Sequence, residues 1–162
     1  LPPLVTRYGV HEAEVMVGHF GAPTRLAYTA LGDGVNLAAR LEPLCKQYGV
    51  LALVSEVVAE RAKGSFLFRR VDRVAVKGKT RGIDVYELIA GAGDEHPRKE
   101  LARRYERAFA AYLDRRFAEA ESIFAELAKD DRASEVLRDR CRQLAETPPA
   151  DGWTGVHVAS SK

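Results

Sequence analysis

The first half of the chain alternates between strand-like and helix-like spacing of apolar residues. Residues 7–18 favour a strand because Val10, Val15 and Val17 recur between glycines, with a slip in the alternation that indicates a bulge. Residues 19–27 hold Gly21 and Pro23 and predict a loop. We therefore expect one bulged strand followed by a loop.

A helix is predicted over residues 33–48. Asp33 is a suitable N-cap, Pro43 is expected to kink or loosen the helix, and Gly49 is expected to end it. Apolar residues at helical spacing define the buried face, namely Leu37, Leu41, Leu44 and Tyr48.

Further along, residues 50–55 predict a short buried strand and residues 56–63 a short helix. Residues 66–78 and 83–89 predict a hairpin joined across "KTRG". This order of elements favours an α+β layered sandwich.

The character of the chain changes after residue 90. Residues 93–98 predict a linker, and three apolar stripes over 99–147 predict antiparallel helices whose spacing resembles one tetratricopeptide hairpin. The tail, 148–162, is expected to be extended, with Trp153 docked on the rest of the protein because an isolated exposed Trp is unusual.

Composition narrows the function. A net charge of +2 argues against non-specific nucleic-acid binding, and the apolar runs are too short to cross a membrane. Cys45 and Cys141 are typical of a reduced cytoplasmic protein. The chain opens on Leu1, which is compatible with trimming or with a piece of a longer protein.

The segment "YTALGDGVNLAAR", residues 28–40, is the first candidate site. Asn36 and Arg40 are four residues apart, so both project from one side of the helix near its N-terminal turn. A helix N-terminus preceded by glycines can accept an anion at close range. The alternative is an ordinary solvated helix surface.

A second cluster, "VKGKT", places Lys77 and Lys79 at a strand end, where they are either solvated edge charges or phosphate ligands.

Four linked motifs, "GVHEAEVMVGHFG", "YTALGDGVNLAARLEPLCKQYG", "LVSE" and "VAVKGKTRGIDVYEL", resemble the C-terminal half of a class III adenylate/guanylate cyclase catalytic domain over about residues 4–90. The resemblance implies an incomplete ferredoxin-like cyclase sandwich over residues 1–92. It also implies an antiparallel homodimer with catalytic sites shared across the interface, and conversion of ATP to 3′,5′-cyclic AMP and pyrophosphate.

The resemblance also assigns roles. Asn36 and Arg40 would be catalytic, orienting the ribose and stabilising transition-state charge. Thr29 would contact the base and Lys77 the terminal phosphates, whereas Asp33 would be structural. Two residues depart from the family pattern: Ala13 stands where the family usually has Gly, and Pro43 where it usually has a small residue.

No metal ligands are assigned within this chain. The family holds two Mg²⁺ or Mn²⁺ ions through aspartates that we expect ahead of residue 1, so this chain is expected to be inactive alone. The full-length protein is expected to be cytoplasmic, or the cytoplasmic part of a membrane protein.

Three alternatives stay open: a guanylate cyclase, a non-catalytic nucleotide-binding and dimerisation module, or an interaction protein that acts through its helical extension. The extension, residues 99–147, carries no candidate acid, base or ligand cluster, so the sequence predicts that it is separable from the chemistry.

Overall fold

The protein combines a mixed β-sheet, a separate hairpin and two groups of helices, as seen in a computed structural model that describes residues 4–22, 24–75 and 82–157. The α+β class is confirmed. In chain order the strands are β1 (Tyr8–Val10), β2 (Met16–Ala22), β3 (Arg25–Leu31), β4 (Ala52–Ser55), β5 (Phe66–Val74) and β6 (Ile83–Gly91). The helices are α1 (Asp33–Tyr48), α2 (Glu56–Arg61), α3 (Arg98–Leu113), α4 (Phe117–Leu127) and α5 (Arg132–Glu146).

The four-stranded sheet has the order β1-β4-β6-β5. β1 lies parallel to β4, and the other two pairs are antiparallel. The predicted strand 50–55, helix 56–63 and hairpin 66–89 are confirmed. The "KTRG" connection falls partly outside the described residues, which resume at Gly82.

Two predictions for residues 7–27 are wrong. The expected single strand 7–18 is divided into β1 and β2, which belong to different sheets. The expected loop 19–27 is instead the tip of the β2–β3 hairpin, where Ala22 pairs with Arg25. Gly21 adopts a φ of 129°, a conformation that glycine tolerates, and this permits the reversal.

α1 runs unbroken through Pro43 to Tyr48 and is closed by Gly49 in the left-handed conformation. Its buried face is formed by Leu37, Leu41, Cys45 and Tyr48. The predicted end at Gly49 is confirmed.

The helical extension α3–α5 forms one continuous hydrophobic cluster with the sheet and α1. Tyr105 on α3 is fully buried, and its hydroxyl donates a hydrogen bond to the Val71 carbonyl on β5 at 2.7 Å. The three predicted helices are confirmed. Their packing shows that they cover the sheet rather than stand apart from it.

The tail returns to the edge of β5. The Trp153 ring lies 5.0 Å from the ring of Tyr112 and 5.5 Å from that of Phe117, so its predicted docking is confirmed. His157 then pairs with the strand: its N–H donates to the Arg73 carbonyl at 2.8 Å, and its carbonyl accepts from Ala75 at 3.0 Å. The tail therefore pairs with the C-terminal end of the edge strand β5.

A buried ionic cluster joins β5, β6 and the extension. The fully buried Arg69 donates to Asp131 at 2.8 Å, and its second terminal nitrogen lies 2.6 Å from Glu87 as an ion pair. Arg98 closes the ring with contacts of 2.6 Å to Glu87 and 2.9 Å to Asp131. Asp131 also caps α5 by accepting hydrogen bonds from Ser134. We call these four charged residues the Arg69 cluster.

The Arg69 cluster should make stability depend on acid pH. Burial alone would raise the pKa of Asp131, but Arg69 and the hydrogen bonds from Ser134 outweigh burial and hold the pKa below its usual value. Such a group stabilises the fold above its unfolded-state pKa of about 3.9, and this contribution is lost as pH falls through the lower folded-state value.

We expect Asp131→Asn to lower the free energy of unfolding at pH 7 by about 3–5 kcal/mol, because it removes one of the two carboxylates that neutralise the buried Arg69 guanidinium. The difference from the wild type should shrink as pH falls below about 4. Urea unfolding between pH 7 and pH 3 measures both effects. The control is Asp130→Asn, which changes the exposed neighbour. Equal curves for the two variants would contradict the prediction.

Candidate nucleotide site

The candidate site is built on a continuous unit in which β3 leads through Gly32 into α1. Gly32 has φ 152° and ψ 165°, a region that is essentially restricted to glycine. This residue turns the chain sharply from strand to helix. Thr29 lies on β3 opposite Gly18 in the hairpin, and its side chain is exposed.

Asn36 and Arg40 are both exposed on the N-terminal half of α1. They follow one another by one helical turn, on the face next to the buried residues Leu37 and Leu41. No side-chain hydrogen bond or ion pair joins either of them to another described residue. Both side chains are thus available to a ligand or to a partner chain.

The N-terminus of α1 differs from the prediction. Gly32, not Asp33, occupies the N-cap position, and Asp33 is the first helical residue. The predicted N-cap role of Asp33 is wrong because the glycine backbone makes the turn by itself. The Asp33 carboxylate interacts favourably with the helix dipole, but its negative charge repels any anion at that end. An anion bound near this end would therefore depend mainly on basic side chains.

Of the four predicted site residues, the structure carries Thr29, Asn36 and Arg40 on the β3–α1 unit, all exposed. Lys77 lies outside the described residues, as does Lys79. The chain enters that segment from β5, whose last residues pair with the tail at His157.

The contact between Ala13 and Gly34 explains one departure from the family pattern. A Cβ atom on Gly34 would lie 2.5 Å from the Ala13 methyl group and 3.5 Å from the ring of His11. The Ala13 methyl therefore occupies space that exists because residue 34 has no side chain. His11 is held in turn by a 2.8 Å hydrogen bond between its Nδ1 and the Ser55 hydroxyl. These contacts fix the first turn of α1 against the segment that follows β1.

A second close approach holds the middle of α1. A Cβ atom on Gly9 of β1 would lie 2.4 Å from the Ala38 carbonyl oxygen and 2.6 Å from the Glu42 nitrogen. Only glycine permits this approach of strand to helix backbone. The sequence motif "GVHEA" therefore packs against α1, which carries Asn36 and Arg40 and is called the site helix below. This role was not predicted from the sequence.

The hairpin beside the site exposes much apolar surface. Met16 and Tyr28 are 71% and 70% exposed, and Val17 and Leu26 are more than half exposed. Tyr8 and Val10 on β1 are also exposed. A surface of this kind is typical of contact with another protein surface.

Residues 4–22, 24–75 and 82–157 contain no group of three or more His, Cys, Asp or Glu side chains placed to hold a metal ion. The buried Asp72, Asp84 and Asp131 are instead paired with arginines. The described residues therefore do not fit a metal pair. Within the same residues, no helix is long and apolar enough to cross a membrane.

Comparison with known families decides the relationship. The profile described as "Adenylate and Guanylate cyclase catalytic domain" matches residues 2–90, more than half of the chain. The chain belongs to this family.

Two curated relatives extend the comparison. Over 89 residues the chain is 42% identical to "Adenylate cyclase 1" of Rhizobium meliloti (strain 1021), covering 55% of this chain and 13% of that protein. Over 150 residues it is 32% identical to "Adenylate cyclase, terminal-differentiation specific" of Dictyostelium discoideum, covering 88% of this chain and 7% of that protein. Because 88% of the chain cannot lie within residues 1–90, this second similarity includes much of the helical extension.

Among solved structures, the adenylyl cyclase CyaB from P. aeruginosa matches with 31% identity and a TM-score of 0.44, covering 55% of this chain and 42% of that one. The chain thus spans less than a fifth of the length of the two curated relatives and less than half of this structure.

The packing at Gly34 can be tested with a compensating pair. Gly34→Ala should lower the free energy of unfolding by about 1–3 kcal/mol because the new methyl overlaps that of Ala13. Adding Ala13→Gly should recover most of the loss, since it removes the overlapping group. Thermal unfolding of both variants, with Ala13→Gly alone as control, measures this. A double variant no more stable than Gly34→Ala would show that the overlap is not the cause.

Proposed function

We propose that this chain is part of a class III adenylate cyclase that converts ATP to 3′,5′-cyclic AMP and pyrophosphate in intracellular signalling. The observation that carries the proposal is the exposed Asn36–Arg40 pair. The two residues lie one helical turn apart on α1, the helix that follows the Gly32 turn. The chain that carries them belongs to the cyclase family. Both residues are presented to the outside, as contact with a nucleotide requires.

The reaction needs an aligned nucleophile and a stabilised leaving group. The ribose O3′ attacks the α-phosphorus and loses its proton, while the bond from the α-phosphorus to the pyrophosphate oxygen breaks. We assign Asn36 to orient the ribose through its amide, which raises the rate by alignment. We assign Arg40 to the negative charge that develops on the α-phosphate and the leaving oxygen, where a fixed cation is most effective.

Two further residues are proposed to bind the nucleotide. Thr29 would contact the base, and its hydroxyl can both donate and accept a hydrogen bond. This fits adenine without excluding guanine, so a guanylate cyclase is the second candidate. Assays with ATP and GTP in parallel separate the two. Lys77 would bind the terminal phosphates as a point charge.

The proposed enzyme is a homodimer that shares each site across its interface and uses two Mg²⁺ or Mn²⁺ ions. We infer that the metal ligands lie in a part of the full-length protein outside this chain and reach each site from the other subunit. The exposed apolar hairpin β2–β3 supports an interface at this side of the molecule. On this proposal the chain alone makes no cyclic nucleotide.

We propose the boundaries 1–92 for the cyclase part, 93–98 for the linker, 99–147 for the extension and 148–162 for the tail. The tetratricopeptide-like character of the extension is part of this proposal. It is supported by the α3–α4 helix pair and its aromatic stripe. A cytoplasmic location is proposed from the substrate, ATP. The alternative is a cyclase-like module without catalytic activity, and the kinetic measurements described next distinguish the two.

Arg40→Ala in the full-length protein should lower kcat by about 10²–10³ and change KM much less, because the charge is needed mainly in the transition state. Cyclic AMP formation over a range of ATP concentrations measures both constants. Arg103→Ala, which removes an exposed arginine from α3, is the control and should behave as wild type. Normal kcat in Arg40→Ala would remove Arg40 from the catalytic site.

Mixing tests whether the site is shared. Arg40→Ala and a variant of the metal-binding aspartates should each be nearly inactive. Heterodimers of the two should recover activity because one of their two sites is intact. Cyclic AMP production is measured for each variant and for the mixture, with heterodimer formation checked by differently tagged subunits. Heterodimers as inactive as their parents would contradict the shared-site proposal.

Lys77→Ala should raise KM for the metal–ATP complex by about ten- to a hundredfold, the equivalent of one lost charge-assisted contact. The matched control is Lys46→Ala, which removes an exposed lysine from the far end of α1. Steady-state kinetics of the two variants are compared with the wild type. Unchanged constants in Lys77→Ala would leave Lys77 as a solvated strand-end charge.

A further inference from the structure

The far end of the site helix is tied to the helical extension through one buried carboxylate. Asp72 on β5 is fully buried. Its Oδ2 accepts a hydrogen bond from the hydroxyl of Tyr48, the last residue of α1, at 2.5 Å. Arg140 on α5 donates to its Oδ1 at 2.9 Å and places a second nitrogen 2.8 Å from Oδ2. The site helix, the sheet and the extension therefore meet at this carboxylate.

The protonation states of these groups support the connection. Burial and the neighbouring Asp72 both raise the pKa of Tyr48, so its hydroxyl remains a donor. Burial alone would lower the pKa of Arg140, but Asp72 outweighs burial and raises it, so the guanidinium stays charged. Removal of either partner of such an enclosed ion pair is costly because it leaves an uncompensated buried charge.

A second contact holds the same end of α1. Gly49 closes the helix with a φ of 68°, and a Cβ atom there would lie 2.7 Å from the Cβ of Arg132, at the start of α5. The first turn of α5 is therefore packed directly against the cap of the site helix. Two points of α5, Arg132 and Arg140, fix the end of α1.

The opposite half of α1 packs against Gly9 on β1 and against Ala13, and it carries the candidate pair. Asn36 and Arg40 are exposed there, and the chain enters the helix through the Gly32 turn from an exposed hairpin. Arg40 is about 12 Å along the helix axis from Tyr48, at a rise of 1.5 Å per residue. Because a helix moves as a stiff rod, a shift or rotation at Tyr48 displaces the exposed pair.

We propose that Tyr48, Asp72 and Arg140 form a positioning triad through which the helical extension sets the placement of the site helix. These are positioning residues and do not touch the nucleotide. The inference rests on the proposed function for its catalytic consequence. It also opposes the expectation from sequence that the extension is separable from the chemistry, because the extension supplies the buried cation that completes the triad.

Two variants of the full-length protein test the triad. Arg140→Met removes the cation while keeping an unbranched apolar chain, and Tyr48→Phe removes only the hydroxyl. The matched control is Arg142→Met, two residues further along α5, where the arginine is exposed and paired with Glu121. The readouts are amide hydrogen exchange of α1 and steady-state kinetics, both measured well below each variant's Tm.

We expect amides of the N-terminal half of α1 to exchange faster in Tyr48→Phe by about two- to tenfold, the factor for one lost hydrogen bond. The effect should be larger in Arg140→Met, and peptides of α4 should change less than those of α1. We expect kcat to fall by about ten- to a hundredfold in Arg140→Met, less in Tyr48→Phe, with KM nearly unchanged. Arg142→Met should match the wild type in both readouts.

Unchanged exchange of α1 in folded Tyr48→Phe and Arg140→Met would overturn the proposal, as would normal kcat per folded molecule in both. A uniform rise in exchange over α1 and α4 would assign the triad to general stability and overturn it as well. If Arg140→Met does not fold, Tyr48→Phe decides alone. Hydrogen exchange does not depend on enzyme activity. A wild-type protein without cyclase activity would refute the proposed function, and the exchange data would still test whether the triad couples α1 to the extension.

Discussion

The fold depends on the neutralisation of Arg69, a guanidinium that is completely removed from water in the middle of the molecule. An isolated buried charge costs several kcal/mol, so it is tolerated only when its partners are all in place. Those partners come from β6 and from the N-cap of α5, two elements separated by the whole of α3 and α4. The sheet is therefore complete only when the helical extension has docked in one particular register.

This requirement shapes the surrounding core. The Arg69 guanidinium lies 4.5 Å from the centre of the Tyr105 ring, and the Tyr105 hydroxyl donates a hydrogen bond to the Val71 carbonyl on β5. The aromatic stripe of α3 is therefore positioned by the same charge. Three residues further along β5, the Asp72–Arg140 pair joins the same elements with the charges exchanged, because the carboxylate is on the strand and the arginine on the extension. Apolar burial supplies the general attraction between helices and sheet. The ionic contacts select one arrangement among many that would bury similar area.

Sequence pattern predicted the elements whose apolar spacing is regular and local. The helices α1 and α3–α5 and the β5–β6 hairpin fall where their stripes and alternation place them. The exposed pair Asn36 and Arg40 also lies on one helix face, as the i, i+4 spacing requires. Two of the wrong predictions fall at glycines. Gly21 allows the chain to reverse between β2 and β3, and Gly32 is the N-cap of α1, where Asp33 was predicted. Backbone conformation at glycine is decided by tertiary packing, which a single sequence does not display.

The charged core was beyond sequence reasoning for a related reason. Arg69, Asp72 and Asp131 are of types that usually lie on the surface, and the residues that neutralise them are distant in the chain. Only the folded arrangement shows that these charges unite the cyclase part with the extension.

The two sides of the sheet are finished in opposite ways, and this difference bears on where a partner would bind. At β5 the tail pairs with the C-terminal end of the edge strand through His157, and Trp153 packs against Tyr112 of the aromatic stripe. At the other side, β1 pairs with β4 alone among the described strands, and the separate β2–β3 hairpin presents Met16 and Tyr28 to solvent. Unpaired edges and apolar hairpins recruit other chains, whereas a covered edge does not. The exposed apolar residues therefore lie on the hairpin that carries Thr29 and leads into α1. On the proposed function, a partner that completes the site would bind at this side.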